Sequence, residues 1–367
     1  MRKCKNVKIS RTYRLLCTLL MTAGLLFSAV IRADEQPQLL SDSAKIYLLT
    51  CSPGEALYER YGHTAILVQD EQLGINDVYN YGIFDFNAEH FYWRFVKGET
   101  YYQLGKEDAY WFVRLYEHAG RQVNVQELNL SPADRDAIYR ALIINYYPEN
   151  RVYLYNFVFD NCATRPYYLL MNALGEKVAV SDQQSAFDFR LNGVPTSSRS
   201  GVSSTFDSKI TFRELIRYYT PKGSWGDFGI NLVFGPRADK PMTAEQRLFL
   251  PEQLMNHISR MQYADGTPLV AAEHIEPFVI QRVPWYATWY FGLAVLFVVL
   301  AIISLHDRLQ GKRTKWVDYI LYAIYGVLLV LVTFLTFFSI HPLVGFGSYL
   351  LIIPSIHLCA RIIYLWR

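Results

Sequence analysis

Apolar positions are unevenly distributed along this chain of 367 residues. One unbroken apolar run occupies 15–31, and three more of roughly 20 residues each fill 285–305, 319–340 and 343–366. Runs of that length match the ~30 Å of hydrocarbon in a bilayer, so three C-terminal transmembrane helices are predicted. Between them the pattern is that of a folded domain. Residues 44–50 (AKIYLLT) read as a buried strand, and 63–68 and 78–84 flank a polar turn with Gly74 as a hairpin. Aromatic-rich segments 87–96 and 107–118 predict short helices, and the alternation over 121–130 predicts a strand. That strand ends at Ser131-Pro132, a hydroxyl cap before a proline at the first helical position, so a helix is expected over 133–146. YNFVF (155–159) reads as the end of a buried strand, with a helix following to about Leu174. Residues 181–206 are rich in Ser and Gly and form a long connector, with a lid as the functional alternative. Helices are expected again at 211–219, 244–250 and 252–262. The Gly-punctuated apolar stretch 225–234 suits a membrane surface or a core equally well. The fold class is α+β.

Charge turns this pattern into a topology. Arg2, Lys3, Lys5, Lys8, Arg11 and Arg14 precede the first apolar run, and a small residue, Ala33, ends it. That is the layout of a secretory signal, with an uncleaved anchor as the alternative. Arg308, Lys312, Arg313 and Lys315 lie between the first and second C-terminal spans, so by the positive-inside rule that loop is cytoplasmic and the region before Trp285 faces outward. Three domains are expected: a signal or anchor (1–33), a periplasmic catalytic domain (34–284) and a membrane domain (285–367), in a multi-pass protein of the inner membrane. Residues 34–284 carry 23 Lys and Arg against 31 Asp and Glu, a balance of −8, and the rest carries 13 against 2, or +11. The overall +3 therefore reflects topology, and nucleic-acid binding has no support.

Candidate chemistry centres on FDNCATRP. Cys162 lies at a strand end, after Asn161 and before a helix, where the helix N-terminal amides and dipole stabilise a thiolate. Asn161 is a natural N-cap, but Pro166 then falls awkwardly, so the helix begins either there or at Thr164. His63, opening the hairpin's first strand, is the best-placed base. His90, His118, His257 and His274 sit in helices or turns, where surface or core roles are commoner. With the turn centred between Gln72 and Leu73, His63 lies level with Gly82, so Asn80 shares its face and is preferred as the orienting acceptor. Asp85 is the reserve. Of five cysteines only Cys51 and Cys162 fall in the exported region, and a disulfide between them is the structural alternative. No HxxxH or CxxC spacing and no phosphate-binding glycine loop occurs, so neither metal nor cofactor is expected.

Histidine on a hairpin, a polar residue on the next strand, then Asn-Cys before a helix is the order of circularly permuted papain-like folds, and it resembles the lecithin:retinol acyltransferase type. LLTCSPGEALYERYGHTAI, DVYNYGIFDF, FDNCATRP and LVFGPRADKPMTAEQRLFLPE together resemble the exported domain of the Lnb lipoprotein N-acyltransferases of Bacteroidota. The resemblance implies that Cys162 and His63 are the catalytic pair. It further implies transfer of an acyl chain from a phospholipid donor, through a cysteine thioester, to the α-amine of a diacylglyceryl-cysteine lipoprotein in the membrane bilayer. The third member, Asn80, rests on hairpin geometry and not on the family. Alternatives are a phospholipase or other lipid acyltransferase, a cell-wall cysteine peptidase or amidase, and a non-enzymatic scaffold with Cys51 and Cys162 joined.

Overall fold

The computed structural model describes residues 38–180, 210–278 and 282–365. The expected signal (1–33) and the connector (181–206) lie outside them. In chain order the elements are β1 (Lys45–Cys51), β2 (His63–Asp70), β3 (Ile75–Ile83), α1 (Phe91–Lys97), β4 (Tyr101–Asp108), α2 (Ala109–His118), β5 (Val123–Leu128), α3 (Pro132–Tyr146), β6 (Val152–Leu154), α4 (Thr164–Leu174) and β7 (Val178–Val180). After the gap come α5 (Phe212–Tyr219), α6 (Trp225–Val233), α7 (Pro251–Ile258), β8 (Met261–Tyr263), β9 (Val270–His274), α8 (Trp289–Gln310), α9 (Lys315–Phe338) and α10 (Ile352–Leu365).

Seven strands make one antiparallel sheet in the order β6-β4-β3-β2-β1-β5-β9, and β7 pairs with β8 separately. The central strands are apolar on both faces because both are covered. On one face Ile46, Leu48, Ile66 and Val68 meet Ile138 and Leu142 of α3, Leu170 and Leu174 of α4, and Leu254 and Ile258 of α7. On the other, Leu49, Cys51, Ala65 and Val78 meet Ala109 and Phe112 of α2. Each fully buried Leu or Ile contributes about 1.5–3 kcal/mol by leaving water. Ser131 accepts from the Asp134 amide (3.2 Å), capping α3 as its sequence implies.

Three local expectations change. The helix expected at 107–118 begins at Ala109: Glu107 and Asp108 close strand β4, in which Tyr102 and Leu104 alternate inward while β3 pairs alongside. Residues 155–159 are not strand. Asn156 Oδ1 accepts from the amides of Val158 (3.1 Å) and Phe159 (3.0 Å), and Asn156 and Asp160 pair across the turn, so the chain reverses just after β6. Of the helix expected at 244–250, Glu245–Phe249 form a 3-10 helix.

Two C-terminal helices, α8 (22 residues) and α9 (24 residues), are long and apolar enough to cross a membrane, and most of each points outward. The third expected span contains a 3-10 turn (Ser348–Leu351) and the 14-residue α10, which is shorter. Its apolar start is used otherwise: Gly345 N donates to Val233 O (2.9 Å) and Gly235 N to Leu343 O (3.0 Å), an extended bridge to the end of α6. Helix α6 packs Phe228 and Leu232 against Leu293, Val332 and Leu350, so the 225–234 stretch is a seat for the C-terminal helices. At the far end of these helices Asp318 accepts from His357 (2.8 Å) and Arg361 (2.9 Å), and Arg361 reaches Asp307 (3.0 Å), tying α8, α9 and α10 together.

A second seat lies at α1. The Ile340 amide donates to Lys97 O (2.9 Å) and His341 Nε2 to Phe95 O (2.8 Å), and Trp93 packs on Phe334 of α9 with ring centroids 5.3 Å apart. Gly98 ends α1 at φ +84°, and a Cβ there would lie 2.8 Å from Ile340 Cγ1. Gly120, at φ +64°, has nothing within 4 Å of such a Cβ. Gly120→Ala thus carries only the left-handed backbone penalty, about 1 kcal/mol, whereas Gly98→Ala adds a clash and should destabilise by about 2–3 kcal/mol. Thermal unfolding of the two variants in detergent tests the seat; equal losses would contradict it.

Candidate active site

Asn161 builds the turn that carries the thiol. Its Oδ1 accepts from the Ala163 (2.9 Å) and Thr164 (3.0 Å) amides, and its Nδ2 donates to the carbonyls of Phe157 (3.0 Å) and Phe249 (2.8 Å). With every donor and acceptor engaged, this buried amide holds the 157–164 turn against the segment before α7. The helix begins at Thr164, so Pro166 falls in the first turn, where a missing N–H costs little, and Cys162 sits just ahead of the helix. Its sulfur is nearly sequestered, with 7% of the residue exposed.

His63 opens β2, and the observed register pairs Ile66 with Tyr79, the register that puts His63 level with Gly82. Asn80 therefore shares its face, and His63 Nε2 is hydrogen-bonded to Asn80 Oδ1. Asn80 Nδ2 in turn donates to Glu107 Oε1 (3.2 Å) on β4. A carboxylate only accepts, so Glu107 fixes which end of the amide faces the imidazole. The amide oxygen then requires a proton on Nε2, which leaves Nδ1 for the sulfur.

Around Cys162 converge the His63 imidazole, the Thr64 backbone N–H and the Tyr155 hydroxyl, the last at 3.9 Å from Sγ. Burial pushes the thiol up, but the charge and hydrogen bond of His63, with the Thr64 amide and Tyr155, outweigh it and leave it below the ordinary thiol value. For His63 burial pulls down, while the sulfur's charge and hydrogen bond and then Asn80 pull up, and the net is raised. Both directions favour a thiolate–imidazolium pair. Burial, and then the sulfur's charge, hold the Tyr155 phenol well above its usual value, so it keeps its proton and donates. Gly82 makes this convergence possible. It sits at φ +92° at the β3–β4 irregularity, and a Cβ there would lie 3.0 Å from the Tyr155 ring and 3.7 Å from Cys162 Cβ.

Cys51 lies opposite His63 in the β1–β2 pairing, fully buried, and is not bonded to Cys162. Burial pushes its thiol up to about 12, with only partial relief from Tyr116. Asp85 lies beyond the end of β3, exposed, and accepts from the Asn87 amide (2.8 Å), away from the imidazole. Arg165 is held bidentate by Asp160 (2.6 and 2.8 Å) over the Tyr153 ring. Among the other candidate bases, burial pulls His257 down to about 4, and His90 and His274 are exposed. The sequence reading missed Glu107 and Tyr155. No local signal marks Glu107, which the sequence pattern puts at the start of the helix expected over 107–118 and the structure puts at the end of β4. Tyr155 is seven residues ahead of the thiol, and only the turn at Asn156 brings its hydroxyl back.

A two-face-covered sheet that presents a polarised, nearly buried thiol, fused to helices long enough to cross a bilayer, defines a membrane-attached protein built around a cysteine–histidine pair. The chain belongs to the Lnb family: residues 34–196 match the Lnb N-terminal periplasmic domain and residues 284–367 the Lnb transmembrane domain, together about two thirds of the sequence. It is a membrane protein with a periplasmic domain, and membership points to an enzymatic, membrane-associated role in lipoprotein processing. No curated protein and no solved structure matches the chain.

Iodoacetamide should modify Cys162 at neutral pH and leave Cys51 untouched until the chain unfolds. Acidification protonates the thiolate and slows the reaction. His63→Ala removes the counter-charge, lets burial raise the thiol, and should cut the rate at pH 7 at least about tenfold. A peptide-mapped alkylation time course checks this; equal labelling of both cysteines, or indifference to His63→Ala, would contradict it.

Proposed function

We propose that the protein is an apolipoprotein N-acyltransferase that moves one acyl chain from a membrane phospholipid to the α-amine of a lipoprotein's diacylglyceryl-cysteine. The observation that carries this reading is the polarised Cys162–His63–Asn80 constellation in a periplasmic domain of the Lnb family, seated on its own membrane helices. Histidine first on a strand, asparagine on its neighbour and cysteine later before a helix also supports the permuted papain-like ancestry. In this reading residues 1–33 direct export, 34–284 form the catalytic domain, and 285–367 hold it in the inner membrane with three crossings.

In the first half-reaction the Cys162 thiolate attacks the donor's ester carbonyl. The oxyanion that forms is met by hydrogen bonds, with Tyr155 and the backbone amides at the thiol as the donors at hand. The His63 imidazolium gives its proton to the departing alkoxide, releasing a lysophospholipid and leaving a thioester on Cys162. In the second half neutral His63 takes a proton from the lipoprotein α-amine as its nitrogen attacks the thioester. The amide forms, the thiolate leaves, and the ion pair is restored. Asn80, oriented by Glu107, keeps the ring in place through both transfers. No cofactor or metal is called for. Anchoring beside two lipid-borne substrates raises their effective concentration at the thiol.

In cells depleted of their own lipoprotein N-acyltransferase, wild type and Cys51→Ala should add an N-acyl chain, read by mass spectrometry of the lipoprotein N-terminus. Cys162→Ser and His63→Ala should not. Tyr155→Phe should slow acylation about ten- to a hundredfold, the loss of one donor to the oxyanion. A free α-amine in cells expressing ample wild type would sink the proposal.

A further inference from the structure

Away from the thiol, a cleft of about 200 Å³ lies between α1 and the β3–β4 edge. Phe84, Phe91, Phe95 and Tyr102 give it apolar walls, and Asp85, Arg94 and Glu99 also line it. The charges are not alike in their engagements. Glu99 is held by Lys97 (2.5 Å), and Asp85 accepts from a backbone amide of its own turn. Among the described residues no carboxylate pairs with Arg94, whose guanidinium lies over the Tyr101 ring, 5.0 Å from its centroid. An arginine kept beside apolar walls with its donors uncommitted suits a phosphate oxygen, since the planar fork matches phosphate geometry.

The cleft also has two neighbours that fix what should enter it. Its outer wall, α1, is the element seated on the end of α9, through Trp93 on Phe334 and the Phe95 and Lys97 carbonyls on His341 and Ile340. Tyr92 and Trp93 are exposed beside that seat, and aromatic rings of this kind favour the zone where a bilayer meets water. Its inner wall leads to the thiol. Phe84 stacks on Tyr102 (4.9 Å between centroids), Tyr102 lies against Tyr155 (4.6 Å), and the Tyr155 hydroxyl faces Cys162. One continuous aromatic path therefore joins the membrane helices to the sulfur, and along it Arg94 has no carboxylate partner among the described residues.

We infer that this cleft is the entry site for the phospholipid donor, with the phosphodiester on Arg94 and the adjoining acyl chain along Phe84, Phe91 and Tyr102 toward Cys162. The inference rests on the acyl-transfer reading above but concerns binding, so the two can fail separately. The test uses the full-length protein in detergent with two photoactivatable probes of the same chains, a phosphatidylethanolamine and a diacylglycerol. Phospholipid label should map to peptides within 84–103. Arg94→Gln should reduce that labelling about tenfold, Arg94→Lys should restore part of it, and diacylglycerol labelling should not change. Cys162 alkylation at wild-type rate certifies that each variant is folded.

Equal phospholipid labelling of wild type and folded Arg94→Gln would overturn the inference, as would an equal loss for both probes, which would make Arg94 merely structural. Arg94-dependent labelling without any lipoprotein N-acylation would uphold the cleft while removing the proposed reaction.

Discussion

A thiol buried in this protein behaves in two opposite ways, and the difference is one partner. Cys51 and Cys162 are both sequestered from water, and for both the largest influence is the cost of burying a charge. At Cys51 the Tyr116 hydrogen bond and the Arg121 charge repay it only in part, and the thiol is pushed up to about 12. At Cys162 the imidazole of His63 supplies a counter-charge and a hydrogen bond, Thr64 and Tyr155 add two further donors, and the direction reverses. The surrounding structure can be understood as what this ion pair requires: Asn161 to fix the turn, Glu107 and Asn80 to fix the ring, and Gly82 to let Tyr155 approach.

The same requirement explains why the site sits where four distant segments meet. The imidazole comes from one strand of the hairpin and its acceptor from the other, the orienting carboxylate from β4, and the thiol from the start of α4. A buried charge pair is costly to assemble and costly to leave half-formed. Sheet pairing offers a rigid way to bring such groups into register, and helices on both faces keep water out. The C-terminal helices add a second constraint. They are bound to the sheet domain at α1 and at α6, on the sides of Phe95 and Phe234, so the position of the periplasmic domain over the membrane is set by hydrogen bonds and ring contacts rather than by a tether.

How much of this was legible in the sequence depended on range. The hairpin's short polar turn and two-residue periodicity are local signals, and they point to Asn80 rather than Asp85 as the residue that faces His63, as its hydrogen bond to the imidazole has it. The cap at Ser131 and the seat of the thiol ahead of a helix are likewise local. Glu107 could not be read, because its role exists only once β4 lies beside β3, and its place directly before the aromatic stretch 109–118 reads as the first turn of that helix. Tyr155 was hidden by a turn that hydrophobicity does not announce. The bounds of the third apolar run were hidden likewise: 343–345 bridge to 233–235, and the helix starts only at Ile352.

The central claim is that Cys162 carries the acyl chain, and its direct test is the intermediate itself. Purified protein would be mixed with phospholipid vesicles lacking any lipoprotein, then followed by intact and peptide-level mass spectrometry. The account predicts one added acyl chain on the Cys162 peptide, removed by neutral hydroxylamine as a thioester must be, with an equal amount of lysophospholipid released. An enzyme that N-acylates lipoproteins yet shows no such adduct, or carries it on Cys51, would contradict it.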